Sequence, residues 1–290
     1  MTLTIAHLGP SGTHAESATL QYAHWLQTTH QQTATLRPYV SIAQTLRAVA
    51  HGQVDIAVVP VENSIEGSVT MTLDTFWQLD SLQIQLGLDM PIAHAFLSQA
   101  PEIAKIQTVY SHPQALSQCQ EWLERNLPHA QLVPMKSTTE ALQHLNDDLT
   151  IGAIASRRAA ELYQLPILAC PINDHPDNCT RFWVVRTSAS PGGSHTSIAF
   201  VVHDVPGALV KPLQIFAERG INMSRIESRP TKQSLGEYLF FVDLEVNVHD
   251  SQFQDAVQQL IPATETLRVL GSYDILPIQA NPVDDAPLEE

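Results

Sequence analysis

From Leu3 to Ser156, short apolar runs alternate with helical patterns. This alternation restricts the chain to an α/β architecture with parallel sheets flanked by helices. "LTIAHLG" at 3–9 reads as a strand and Thr13 to Trp25 as a helix. A helix over Ser41 to His51 precedes the strand "DIAVVP" at 55–60. The strand "IQTVYS" at 106–111 leads into a helix over Gln114 to Arg125. "AQLVPM" leads into "STTEALQHL", where Ser137 or Thr138 suits a helix cap with Glu140 in the first turn. "IGAIAS" is a further strand.

The alternation ends at "TSASPGGSH", residues 187–195, whose small residues, Pro and Gly pair cannot build a core. Beyond it the order changes to strand, helix, two strands, helix, strand. "TSIAFVV" is followed by an amphipathic helix within Gly207 to Gly220. "INMSRIES" and "EYLFFVDLEV" come next, then a helix over Ser251 to Leu260 and a final strand in "TLRVLGSYDIL". This βαββαβ order is a ferredoxin-like unit. The acidic tail "NPVDDAPLEE" is expected to fray.

Composition narrows the partners. Lys and Arg total 15 against 30 Asp and Glu, a net charge of −15. Such a surface repels phosphate backbones and anionic lipid, so neither nucleic acid nor a membrane is expected as a partner. The start "MTLTIAHLGP" lacks a basic n-region, and no apolar run nears the roughly 20 residues a bilayer requires. Three cysteines without ligand spacing point to a reducing compartment, without disulfides or zinc. A cytoplasmic location follows. The 13 histidines include no metal-binding pair with helical spacing, so no metal is expected.

Ligands in α/β folds sit beyond the carboxyl ends of strands, and four polar clusters lie there. In "GPSGT", Gly12 and Thr13 open a helix, either as an anion-receiving N-terminus or as an ordinary turn. In "VPVENSIEGSV", Glu62, Asn63 and Ser64 either meet a polar substrate or cap the next element. In "SHPQAL", Ser111 and Gln114 rank above His112, because a hydroxyl and an amide orient a substrate without titrating. The fourth cluster is "STT", with Thr138. Lastly, "NCTRFWVV" runs Asn178, Thr180 and Arg181 straight into the apolar run Phe182 to Val185. Either this strand opens into a cleft that holds an anionic substrate, or Arg181 pairs with a local acid such as Asp174 or Asp177.

Together these motifs, in this order over residues 9–182, resemble prephenate dehydratase. "PGALVKPLQIFAERGIN" and "ESRP" resemble the phenylalanine-binding ACT domain fused to that enzyme. The chain departs from the family pattern at His14, Ala15 and Cys179, and no role is carried to His14 or Cys179. The resemblance implies a bilobal catalytic domain like the type II periplasmic binding proteins over residues 1–187. One lobe would span about 1–80 plus 160–187 and the other about 81–159. A linker at 188–195, an ACT domain at 196–276 and a tail at 277–290 would follow. With no chorismate mutase segment before Met1, the form resembled is the monofunctional one.

The reaction implied is decarboxylating dehydration of prephenate to phenylpyruvate, a carbon–oxygen lyase step in phenylalanine biosynthesis that requires no cofactor. The resemblance assigns catalysis to Thr180, Glu62, Asn63, Gln114 and Ser111. It assigns substrate binding to Ser64, Thr138, Arg181, Phe182, Gly12 and Thr13. L-phenylalanine would bind at Gly207, Ala208, Leu209, Val210, Asn222, Met223, Glu227, Ser228, Arg229 and Pro230, in a homodimer or homotetramer paired through ACT domains. Thr180 is the expected hydrogen-bond donor to the leaving hydroxyl, with Glu62 as the rival acid. Truncation near Ser188 is expected to leave an active enzyme blind to phenylalanine. The alternatives are arogenate dehydratase and a non-catalytic small-molecule sensor on the same scaffold.

Overall fold

The computed structural model describes residues 2–145, 148–232 and 236–279. The tail from Asn281 therefore lies outside the described residues. Strand β1 (Leu3–Leu8) leads to helix α1 (His14–His30), β2 (Ala34–Tyr39), α2 (Ile42–Ala50) and β3 (Ile56–Asn63). A short return strand β4 (Gly67–Ser68) precedes α3 (Thr70–Gln78) and β5 (Gln83–Pro91). The chain then builds a second lobe: β6 (His94–Leu97), β7 (Thr108–Ser111), α4 (Pro113–Ser117), α5 (Gln120–Asn126) and β8 (Gln131–Pro134). A 3-10 turn (Glu140–His144), β9 (Ile151–Ser156), α6 (Arg157–Tyr163) and β10 (Ile167–Ala169) complete that lobe. Strand β11 (Cys179–Arg186) returns to the first.

The sheets are mixed, not parallel as expected. In the first, ordered β16-β5-β11-β3-β1-β2 with β16 spanning Ile275–Pro277, strands β1, β2 and β3 run parallel, but β11 lies antiparallel to both β3 and β5. The second, ordered β10-β6-β9-β7-β8, is parallel only at β7, β8 and β9. The first mixture arises because β11 re-enters from the second lobe in the reverse direction, and the second because β6 runs against both β9 and β10. The crossings also differ from the expected boundaries. Strand β5 stays with the first sheet, while β10 belongs to the second and α6 packs beside β9 and β6. The periodicity over 114–125 hides a break: α4 ends before Cys119, and the Asp174 carboxylate accepts from the amides of Glu121 and Trp122 to cap α5.

After the linker come β12 (His195–Val201), α7 (Val210–Glu218), β13 (Met223–Pro230), β14 (Tyr238–Leu244), α8 (Ser251–Leu260) and β15 (Thr266–Tyr273). They form the expected antiparallel four-stranded sheet, ordered β13-β14-β12-β15. One face buries Ile198, Phe200, Val242 and Leu244 against the two helices. The other stacks on the back of the first catalytic sheet. Ala199, Val201, Leu239, Phe241, Leu270 and Tyr273 share one core with Val59, Val61, Leu82, Ile84, Trp183 and Val185. The approach is close: a Cβ on Gly271 would lie 2.5 Å from the carbonyl oxygen of Ile84. The run "TLRVLGSYDIL" is not one strand. It breaks at Asp274, and β16 (Ile275–Pro277) pairs in parallel with β5 of the catalytic sheet. No helix among the described residues is long and apolar enough to cross a membrane.

Candidate active site

A cavity of about 590 Å³ opens between the two lobes. Its wall includes Thr13 and His14 at the start of α1, Pro60 and Asn63 at the end of β3, and Thr180 and Phe182 on β11. The second lobe contributes His94, His112, Gln114, Gln118 and the segment Lys136 to Thr138. Among the described residues no Asp or Glu lines this cavity, although the chain carries 30 acidic residues. A second cavity, about 670 Å³ between α1 and β16, is lined by none of the predicted site residues.

Two strand ends bring the chemistry together. Thr180 pairs with Asn63 across β11 and β3, and Arg181 pairs with Glu62. One residue on, Phe182 pairs with Pro60, so Val61 is a bulge. A bulge puts an extra residue on one strand and re-aims the neighbouring side chains. Val61 enters the core behind the sheet, Glu62 acts electrostatically on Arg225 of the ACT domain, and Asn63 is delivered to the cleft. The bulge therefore puts Asn63 in the cleft in place of Glu62, which lines no part of the cavity.

Thr180 is buried at the cleft floor and its Oγ1 accepts from Asn63 Nδ2 at 2.9 Å. Accepting there leaves its own O–H free to donate into the cavity. Asn63 Oδ1 accepts from the amides of Ile65 and Glu66, which fixes the side-chain amide. Its Nδ2 also donates to Asn178 Oδ1 at 2.8 Å. Asn178, 1% exposed, donates to Gln118 Oε1 at 3.0 Å. His94 Nε2 lies 3.0 Å from the same oxygen, and Gln118 Nε2 donates to Glu66 at 3.3 Å. This chain of amides ties the cleft floor to the second lobe.

His14 and His94 meet edge to face at 5.3 Å in the cleft wall. Burial, reinforced by His94, brings the His14 pKa down to about 3. Burial also lowers that of His94, against the Gln118 hydrogen bond, which raises it. Both rings are therefore neutral near pH 7, and each keeps one buried nitrogen without a hydrogen-bond partner, Nε2 of His14 and Nδ1 of His94.

Of the eleven residues assigned to catalysis and substrate binding, the cavity gathers Thr13, Asn63, Gln114, Thr138, Thr180 and Phe182. The other five serve elsewhere. Arg181 turns to the back of the sheet and forms a two-pronged pair with Asp89 at 2.7 and 2.8 Å. That pair is structural, although its acid is neither Asp174 nor Asp177. Ser111 is fully buried and donates to the Ile154 carbonyl at 2.7 Å. Exposed Ser64 accepts from the Cys179 amide with its Oγ. Gly12 has φ of +87°, and its amide donates to Glu16 Oε2, so the neighbouring carboxylate occupies the N-terminus proposed for an anion. A Cβ there would press on Thr139 and Ala159 of the second lobe.

Sequence reading missed His94 and Gln118 and set His14 aside. Gln118 carried a signal, an amide at a helical position that faces the core. His112 lines the cavity, and its Nδ1 caps α4 by accepting from the Gln114 amide at 3.3 Å.

The ten residues assigned to the effector fall into two groups. Gly207 has φ of +80° with open space where a Cβ would stand, and Ala208, Leu209 and Val210 continue into the start of α7. Asn222 precedes β13, Met223 opens it, and Ser228 and Pro230 are exposed on that strand. Glu227 and Arg229 belong to a different contact. They face the catalytic domain, where Glu227 accepts from Ser68 Oγ and Arg229 pairs with Asp74.

These features define a class: a two-lobed α/β domain with a polar, acid-free interlobe cleft, fused through one core to a ferredoxin-like module. The prephenate dehydratase family model matches residues 5–190 and the ACT domain model residues 196–262. The chain belongs to the prephenate dehydratase family and carries a C-terminal ACT domain. A bifunctional chorismate mutase/prephenate dehydratase of Aquifex aeolicus is 41% identical over 277 residues, 93% of this chain and 73% of its own. A prephenate dehydratase from Arthrobacter aurescens, solved in complex with L-Phe, is 34% identical. Its TM-score is 0.82, with 97% of this chain and 94% of that chain covered. A structure described as a novel type of quorum quenching acylase, GqqA, is 26% identical with a TM-score of 0.79, covering 94% and 98%.

Proposed function

We infer that this chain converts prephenate to phenylpyruvate, losing CO2 and water, and that L-phenylalanine regulates it through the ACT domain. The observation that carries this reading is Thr180, a hydroxyl held by Asn63 with its proton free, on the floor of a cavity without acids. Prephenate bears a ring carboxylate and a hydroxyl on opposite ring carbons. The C–CO2 bond breaks, its electron pair makes the ring aromatic, and the C4–O bond breaks to release hydroxide, which takes a proton from solvent and leaves as water. Hydroxide is a poor leaving group, so a donor aimed at that oxygen carries the transition state, and such donors contribute about 10²–10⁴-fold. Thr180 supplies that hydrogen bond, and Gln114 and Thr138 orient the ring.

The departing carboxylate loses its charge as the reaction proceeds. A cation clamped on it would stabilise the ground state most. Phe182 and the neutral His14 and His94 suit that position. The acylase likeness finds no parallel support, because Thr180's partner is an amide, which cannot take a proton as a nucleophile's base must. Effector binding at Gly207 to Val210 and pairing of two chains through ACT domains belong to the same reading. Exposed Val205, Val210 and Ile226 near these residues support it. The acidic, cysteine-poor composition supports action in the cytoplasm.

Purified protein given prephenate should form phenylpyruvate, read by its ultraviolet absorbance in alkali, and millimolar L-phenylalanine should change the rate. No phenylpyruvate above the spontaneous rate would sink the catalytic assignment and favour a sensor.

A further inference from the structure

Prephenate enters as a dianion, and Arg181, the cation expected to meet it, is committed to Asp89 on the far face of the sheet. Among the described residues that line the cleft, Lys136 is the single Lys or Arg. We propose that Lys136 binds the carboxylate of the substrate's pyruvyl side chain and thereby favours prephenate over arogenate. This rests on the dehydratase reading above.

The position of Lys136 is fixed by its own turn. Its amide donates to Glu140 Oε2 at 2.9 Å, and the Glu140 amide donates back to Ser137 Oγ at 3.0 Å. This reciprocal pair locks the backbone after β8, and the nearest acid of the turn is used on an amide. Lys136 has no ion pair to a described residue, and its side chain is exposed at the cavity rim. An exposed ammonium at the mouth suits the part of the substrate that does not react. Thr180 and Phe182, on the opposite lobe, remain with the ring.

The choice between the two carboxylates follows from energetics. The ring carboxylate disappears in the reaction, so a cation there would deepen the ground state and slow catalysis. The pyruvyl carboxylate persists unchanged from substrate to product, so a cation there binds both equally. Lys136 therefore acts on KM and on product affinity, and little on kcat. Arogenate carries an ammonium group beside that same carboxylate. The two like charges would lie close together, and like charges disfavour binding.

The test is Lys136→Gln and Lys136→Arg in the full chain. KM for prephenate should rise about tenfold in Lys136→Gln, with kcat within about threefold of wild type, as for loss of one exposed charge-assisted contact. The inhibition constant for phenylpyruvate should rise by the same factor, and Lys136→Arg should restore most of both. The ratio of kcat/KM for prephenate over arogenate should fall in Lys136→Gln. An unchanged KM overturns the proposal. So does a raised KM with unchanged phenylpyruvate inhibition, because the contact would then be to the departing carboxylate. A wild type that makes no phenylpyruvate removes the dehydratase reading itself, whereas an active wild type with an indifferent Lys136→Gln removes only this proposal.

Discussion

Strand β11 has two faces with opposite chemistry. Toward the cleft it presents Thr180 and Phe182, beside neutral amides and neutral imidazoles. Toward the ACT domain it presents Arg181, paired with Asp89, and Trp183, with the Arg225 guanidinium 5.6 Å from the ring centre. Arg225 in turn pairs with Asp243 at 2.7 Å, and Asp243 accepts from Ser197, which also meets the Tyr273 hydroxyl. On the cleft floor around Thr180 charge is avoided, because the reaction disperses charge, and Lys136 stands apart at the rim. Behind the sheet, charge is buried, and buried charges require partners of defined geometry. One strand thus carries the reacting face and the regulatory face, one residue apart. Arg181 and Trp183 are the points at which the strand that bears Thr180 meets the ACT sheet.

The largest test of this contrast removes the back face. The sequence suggested that a chain ending near Ser188 stays active and loses only its response to phenylalanine. The shared core argues otherwise. The cut would strip the ACT sheet from Ile84, which Gly271 approaches closely, and from Trp183, which faces Arg225, and would delete β16. Each large apolar side chain contributes about 1.5–3 kcal/mol on burial. Uncovering several of them, on both sides of the shared core, is on the scale of the roughly 5–15 kcal/mol by which whole domains are stable. The truncated chain should be insoluble or fail to melt cooperatively by circular dichroism, with no dehydratase activity. A soluble, active truncation would show that the back face is a separable interface.

The second test alters the front face alone. Thr180→Ala should lower kcat about 100-fold or more, with KM changed only a few-fold, as for a contact strengthened in the transition state. Thr180→Ser keeps the hydroxyl and should keep a substantial part of the rate. Because Asn63 aims Thr180, Asn63→Ala should reproduce much of the loss. Near-wild-type activity in Thr180→Ala would transfer the donor's role to another cleft group.

How far the sequence could be read follows the same division. The cleft face was legible because polar clusters stand at the ends of apolar strands, Asn63, Gln114 and Thr138 after them and Thr180 directly before one. The ferredoxin-like module was legible from helix and strand periodicity alone. The back face was not. Nothing local in "VENS" reveals the bulge at Val61 that exchanges the faces of Glu62 and Asn63. Nothing local in "TRF" reveals that Asp89, 92 residues away, holds Arg181. Pairing of β11 between β3 and β5, and of β16 with β5, depends on non-local geometry that a residue pattern does not encode. His14 was passed over because it departs from a family pattern, yet its position puts it on the cleft wall.

The smallest expected effect probes the boundary between the faces. Arg181→Lys keeps the charge behind the sheet but loses the fork that engages both oxygens of Asp89. The two side chains are 23% and 29% exposed, so solvent screens the pair and its loss should cost about 1 kcal/mol. For a chain of this size that is roughly 2–4 °C in Tm. If Arg181 belongs to the back face, kcat and KM for prephenate should stay within about twofold of wild type while the melting point falls. The half-inhibitory phenylalanine concentration should shift more than either kinetic constant, because the altered side chain lies between the ACT sheet and the strand bearing Thr180. A tenfold rise in KM with an unchanged melting point would mean that the guanidinium reaches the substrate after all, and the two faces of β11 would no longer divide catalysis from regulation.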